Sequence, residues 1–166
     1  MHWTAFPLHP ETPPDGQSLE DLFAGRPINI PEMLAHLRNT AHQLGLPFGD
    51  RRMTYNSRRA QELGKWAENC GRGDAFHNAV FKAYFANGLN IATDTVLMDI
   101  ARSVDLDPLE ARTAIEQGQY RDAVDRDWQR SRHMGISAVP TFVINRQRLV
   151  GAQTYQDLTR FIQSEV

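Results

Sequence analysis

The sequence predicts an α/β fold with an all-α insertion, on three observations. Apolar residues recur at helical spacing almost without a break over residues 31–134. Beyond Gly135 that periodicity gives way to two short β-type runs, 142–144 and 149–150, and then to one more amphipathic helix. Pro140 stands between the helical block and the first of those runs, where a strand prefers a residue with an N–H to donate. With a β-type segment at the N-terminus, the order becomes strand, helical block, two strands, helix.

Residues 2–8 read as the first strand, because Trp3, Thr4 and Phe6 favour extended backbone and Pro7 ends regular pairing. Residues 10–16, with Pro13-Pro14-Asp15-Gly16, form a turn, and 18–24 suit a short helix closed by Gly25 and Pro27. Pro31 occupies a natural first-turn position, followed by Met33, Leu34, Leu37, Ala41 and Leu44 up to Gly45. Asn56 is suited to cap a helix carrying Ala60, Leu63, Trp66, Ala67 and Cys70, with Gly71 and Gly73 behind it. Phe76, Val80, Phe81, Tyr84 and Phe85 make the apolar stripe of the next helix, which Asn87-Gly88 stops. Val96, Leu97, Ile100, Ala101 and Val104 repeat the pattern after Thr93 and Asp94. Asp107-Pro108-Leu109-Glu110 supplies a cap, a first-position proline and an early acid, the clearest helix start of the chain. Tyr120, Val124 and Trp128 follow at steps of four. The strands 142–144 and 149–150 should form a hairpin turning through 145–148, and Thr154 should cap a last helix bearing Tyr155, Leu158, Phe161 and Ile162.

The 166-residue length fits one domain that buries its own core. A hydrophobic fraction of 41% with 23% charged residues is ordinary for a soluble globular protein. A net charge of −2 gives no electrostatic reason for affinity to nucleic acid or to an anionic membrane. No leader of basic then apolar residues follows Met1, and no apolar stretch approaches bilayer length, so the cytoplasm is the expected location. The single cysteine excludes an intrachain disulfide framework and a cysteine-rich zinc site.

Pro140 is the strongest candidate for a functional position. A proline opening a strand is either a trans residue on an edge or a cis Val139–Pro140 bond, and the strand–strand–helix context favours cis. Cys70 falls at a helix C-terminus, where the dipole opposes a thiolate, and on the face of Leu63, Trp66 and Ala67; a packed, inert thiol is expected. His36, His42, His77 and His133 show no metal spacing and read as surface or capping residues. The stripe of Phe76, Phe81, Tyr84 and Phe85 could line a groove but is read as core, and Arg51-Arg52 and Arg58-Arg59 are read as solvated helix ends. Phosphate loop, paired catalytic carboxylates and Gly-x-Ser-x-Gly elbow are all missing. No self-sufficient catalytic apparatus is therefore expected.

Residues 137–162 resemble the C-terminal strand–strand–helix of the thioredoxin fold, and Val139 before Pro140 looks DsbA-like. Gly151-Ala152-Gln153, Trp66-Ala67 and Lys82-Ala83-Tyr84-Phe85 resemble the FrnE-like subfamily, whose second strand is similar to residues 3–10. The resemblance implies a thioredoxin-like fold with an all-α helical insertion, its core at 1–27 and 135–166 and its insertion at 28–134. It leaves uncovered the family's first strand and its first helix, which carries the redox Cys-x-x-Cys. Both are expected upstream of Met1, in about thirty residues for one βαβ unit. A truncated chain or a late-assigned start is expected over natural loss, because deleting a central strand leaves its neighbours unpaired. Residues 2–8 should then pair with 141–145 or with a second chain, which makes a homodimer plausible.

By resemblance, Val139 and Pro140 would hold an extended substrate chain beside a reactive sulfur, a form of β-augmentation. The implied function is thiol–disulfide exchange on protein or small-thiol substrates, with no catalytic residue in this chain, no metal and no cofactor. Two alternatives stand beside it. A kappa-like transferase or isomerase would use glutathione and a first-helix serine, and a non-catalytic module would keep only the peptide-docking loop. Gly151-Ala152-Gln153 favours the first reading.

Overall fold

The computed structural model describes residues 2–164. The chain divides into two compact units, one running His9–Val124 and the other joining the residues up to Leu8 to those from Asp125 onward.

The first unit is helical. Gly16, at φ 84°, turns the chain into β1 (Gln17–Ser18), and the Ser18 hydroxyl caps α1 (Leu19–Leu22) by accepting the Asp21 N–H at 3.0 Å. Asn29 caps α2 (Ile30–Gln43) in the same way, with Pro31 in the first turn; no residue of α2 is buried. β2 (Met53–Thr54) pairs antiparallel with β1. The sequence does not predict this ladder, since two residues per strand are too few to show alternation.

The core follows from the next four helices. α3 (Arg58–Asn69) starts one residue later than its sequence predicts, with Ser57 at the cap position; Asn56 Oδ1 still accepts the Arg58 N–H at 2.9 Å, and the helix buries Leu63, Trp66 and Ala67. α4 (Gly73–Phe81) adds the fully buried Phe76. The chain packs closely here: a Cβ on Gly64 would lie 2.9 Å from the His77 ring, so the glycine is what allows that approach. α5 (Asp94–Ser103) buries Leu97, Ile100 and Ala101, and α6 (Pro108–Glu116) buries Ala111, Ala114 and Ile115. Asp107 caps α6 as its sequence predicts, accepting the Leu109 N–H at 2.8 Å. After Phe81 the helix does not continue regularly but widens into a π-helical turn, Lys82–Ala86.

α7 (Arg121–His133) leads out of this unit, and Gly135, at φ 61°, follows it. In the second unit β3 (Thr141–Ile144) and β4 (Gln147–Val150) form an antiparallel hairpin in which Ile144 faces Gln147. The strands are longer and the turn tighter than expected, because Asn145 adopts φ 54°, which asparagine tolerates and a two-residue turn requires. α8 (Tyr155–Gln163) is capped by Thr154, which accepts the Asp157 N–H at 3.1 Å.

The expected first strand does not form. Residues 2–8 carry no ladder, and among the described residues β3 pairs with β4 alone. The backbone groups are engaged elsewhere: Ala5 N–H donates to Asp127 Oδ2 at 2.9 Å, Leu8 N–H closes a local turn onto Phe6 O at 3.1 Å, and Pro7 has no N–H. The expected pairing of 2–8 with 141–145 is thereby corrected.

Candidate functional site

The segment between α7 and β3 is held at both ends. At the helix end, Ile136 N–H donates to Ser131 O at 3.0 Å and Gly135 N–H to Arg132 O at 2.9 Å. At the strand end, Thr141 Oγ1 donates to Ala138 O at 2.6 Å and Gly151 N–H to Pro140 O at 2.8 Å. Gly151 itself has φ 89°, and Gln153 Nε2 donates to Val150 O at 2.8 Å. The Gly-Ala-Gln turn thus closes the hairpin over the proline.

The Val139–Pro140 peptide bond is cis. Residues 137–140 are all exposed, Val139 to 44%. No hydrogen bond to another described residue engages the N–H or the C=O of Val139. A backbone donor and acceptor stand free at the head of a strand, between two pinned neighbours.

The remaining candidates lie elsewhere. Cys70 is the C-cap residue of α3 and is exposed, not packed as expected, because the chain leaves the helix there through Gly71 at φ 70°. What shielding its sulfur has, and then the Glu110 carboxylate, push the thiol pKa up, the opposite of what a nucleophilic thiolate needs. His77 is half-buried with Nε2 3.3 Å from Glu68 Oε1. Among the described residues no group of three or more His, Cys, Asp or Glu side chains is placed to hold a metal ion.

The arginine pairs are also not simply solvated. Arg58 bonds Glu62 Oε1 at 2.7 Å, Arg59 pairs with Asp94, and Arg52 pairs with Asp50 at 3.3 Å. Arg51 lies instead against the aromatic stripe, 4.8 Å from the Tyr84 ring centre and 5.5 Å from that of Phe85. The stripe divides accordingly. Phe76 is core, Phe81 is exposed, and Tyr84 and Phe85 are half-buried on the π-helical turn. A helical register drawn at 3.6 residues per turn cannot show that change.

A helical insertion ahead of a hairpin and a final helix, with a proline opening the hairpin's first strand, defines a thioredoxin-like domain of the DsbA type. The chain belongs to the DsbA-like thioredoxin domain family, whose model matches residues 1–163. It is similar to a probable DsbA oxidoreductase, SCO1869 of Streptomyces coelicolor, at 25% identity and a TM-score of 0.88, over 98% of this chain and 73% of that one. It also shares its fold with the cytosolic disulfide reductase DsbM of Pseudomonas aeruginosa, solved with GSH, at 21% identity and a TM-score of 0.58, over 78% of this chain and 75% of that one. In sequence it is 30% identical to the uncharacterized protein YwbO of Bacillus subtilis across 88 residues, 52% of this chain. That match spans 44% of YwbO's length.

Proposed function

We propose that this chain is the substrate-docking and helical part of a FrnE-like thiol–disulfide oxidoreductase or isomerase whose redox Cys-x-x-Cys lies outside these 166 residues. One observation carries the reading: in a DsbA-like thioredoxin domain, the exposed Val139 peptide group at the head of β3 has an N–H and a C=O that no described residue engages. Such a group pairs with the backbone of an extended peptide, as an added strand does. Val139 and Pro140 would then hold the substrate alongside the attacking sulfur.

In the reaction proposed, one thiolate of the dithiol attacks a substrate disulfide. A mixed disulfide forms and the other substrate sulfur leaves as a thiolate. The second cysteine then attacks the mixed disulfide, so the enzyme dithiol ends as a disulfide and the substrate as two thiols. Cys70 takes no part, since its exposed thiol has a raised pKa. No helix is long and apolar enough to cross a membrane among the described residues. We place the protein in the cytoplasm, a location that DsbM's description as cytosolic supports.

The test is insulin reduction followed by turbidity. The chain itself should be inactive. A version extended at its N-terminus by a strand and a Cys-x-x-Cys helix should be active, and Val139→Asp in that version should raise KM. Reduction by the unextended chain that disappears in Cys70→Ser, or an inactive but folded extended protein, would reject the proposal.

A further inference from the structure

We propose that the helical unit carries a second binding site, independent of the Val139 loop: a cleft beside Arg51 that takes a small organic carboxylate. The cleft has a volume of about 140 Å³ and is lined by Asp50, Arg51, Arg52, Tyr55 and Tyr84 among others. Drug-sized ligands and cofactors occupy pockets of roughly 300 Å³ and more, so this one suits a molecule of a few non-hydrogen atoms.

Arg51 is held in place yet incompletely partnered. Its guanidinium stacks against Tyr84 and Phe85, which the π-helical turn Lys82–Ala86 presents, and such turns recur at functional sites. Nη2 donates to the Tyr84 hydroxyl at 2.6 Å, and that hydroxyl is hydrogen-bonded in turn to Thr54 Oγ1 at 3.0 Å. The side chain therefore has an aromatic wall and a polar anchor that do not depend on any ligand. An arginine offers five N–H groups. Nε is buried from solvent without an acceptor, and no carboxylate among the described residues pairs with this guanidinium. Its neighbours Arg52, Arg58 and Arg59 each have an acidic partner. A restrained, partly dehydrated charge without a counter-ion is unfavourable unless an anion joins it. Burial, Arg26 and Arg51 together lower the pKa of His9, so the positive field of Arg51 reaches beyond the cleft.

The charge count selects the ligand. Arg51 and Arg52 against Asp50 leave the lining with one net positive charge, which a monoanion neutralises. The Asp50 carboxylate, itself held by Arg52 at 3.3 Å and Arg38 at 3.9 Å, opposes a dianion. A carboxylate can accept a charge-assisted hydrogen bond from the guanidinium with a single charge, whereas the doubly charged form of phosphate brings more charge than the lining compensates.

The experiment is a titration of the 166-residue protein with sodium acetate, at ionic strength held constant with chloride, read by amide and arginine Nε–H NMR. Saturable shifts should appear at Arg51, Arg52 and Tyr84, and sodium phosphate at the same concentrations should bind at least severalfold more weakly. Arg51→Met should weaken acetate binding by about tenfold or more, the effect of losing a charge-assisted hydrogen bond. Tyr84→Phe keeps the ring and removes the anchoring hydroxyl, so it should weaken binding severalfold, and it decides the matter where Arg51→Met does not fold. Shifts that fail to saturate, phosphate binding as tight as acetate, or unchanged affinity in the folded variants would overturn the site.

Discussion

The helical unit and the hairpin unit are made from equally ordinary helix and strand signals, and they differ in where apolar side chains end up. Every fully buried hydrophobic residue among the described ones falls between Leu19 and Val124. In the hairpin unit Phe142, Val143, Ile144, Leu149 and Phe161 are only half-buried, and the sole buried side chain named there is the polar Ser131. Helices α3 to α6 cover one another, whereas among the described residues each strand of the four-residue hairpin has one partner strand. Two strands alone are marginal in water. The difference teaches that the two units divide burial unequally: the core stands in one, while the other leaves Val139 exposed at the head of a strand.

Mutations of matched chemistry in the two units are the way to break that contrast. The largest effect is expected at Phe76, fully buried, where Phe76→Ala should cost about 3–5 kcal/mol in urea denaturation followed by circular dichroism. A loss near 1 kcal/mol would mean that the core is less consolidated than its burial shows. Next comes the buried Glu62, paired with Arg58 at 2.7 Å. Arg58→Met leaves that carboxylate without its cation and should cost about 2 kcal/mol, and the double variant Arg58→Met/Glu62→Leu should recover most of the loss.

The sharpest pair comes from the two helix caps. Asp107→Ala removes the side-chain acceptor of α6 and should lower global stability by about 1 kcal/mol. Thr154→Ala removes the equivalent acceptor of α8, yet α8 buries no residue, so the global transition should move by less than about 0.5 kcal/mol. Its effect should appear instead as α8 amides exchanging about fivefold faster, read by hydrogen exchange. Equal shifts of the global transition in both cap variants would show that the two units unfold as one. The smallest effect belongs to Tyr155, 84% exposed, where Tyr155→Ala should stay within about 0.5 kcal/mol.

How much of this was legible depended on whether the signal was local. Asp107-Pro108, Thr154 with Asp157, and the glycines behind α2 and α3 announce helix ends because a cap or a positive φ is satisfied within a few residues. The loop at Pro140 stood out because a proline is conspicuous at the start of a strand, although its bond to Gly151 is made across the hairpin. Residues 2–8 had the composition of a strand but lacked a ladder to join, and composition cannot supply a neighbour. Cys70 had the spacing of a core residue, yet its helix ends at that position. Arg51 and Tyr84, 33 positions apart, meet only because the loop before α3 is brought onto a π-helical turn.

By itself, then, the sequence determined the succession of helices, most of the helix caps and the hairpin behind Pro140, because helix ends and a tight turn rest on near neighbours in the chain. Tertiary structure decided which apolar faces were covered, that Cys70 lies exposed at a helix end, that residues 2–8 form no strand, and that Arg51 meets no acid among the described residues. Each of those outcomes depends on groups far apart in the chain, whose meeting no local pattern encodes.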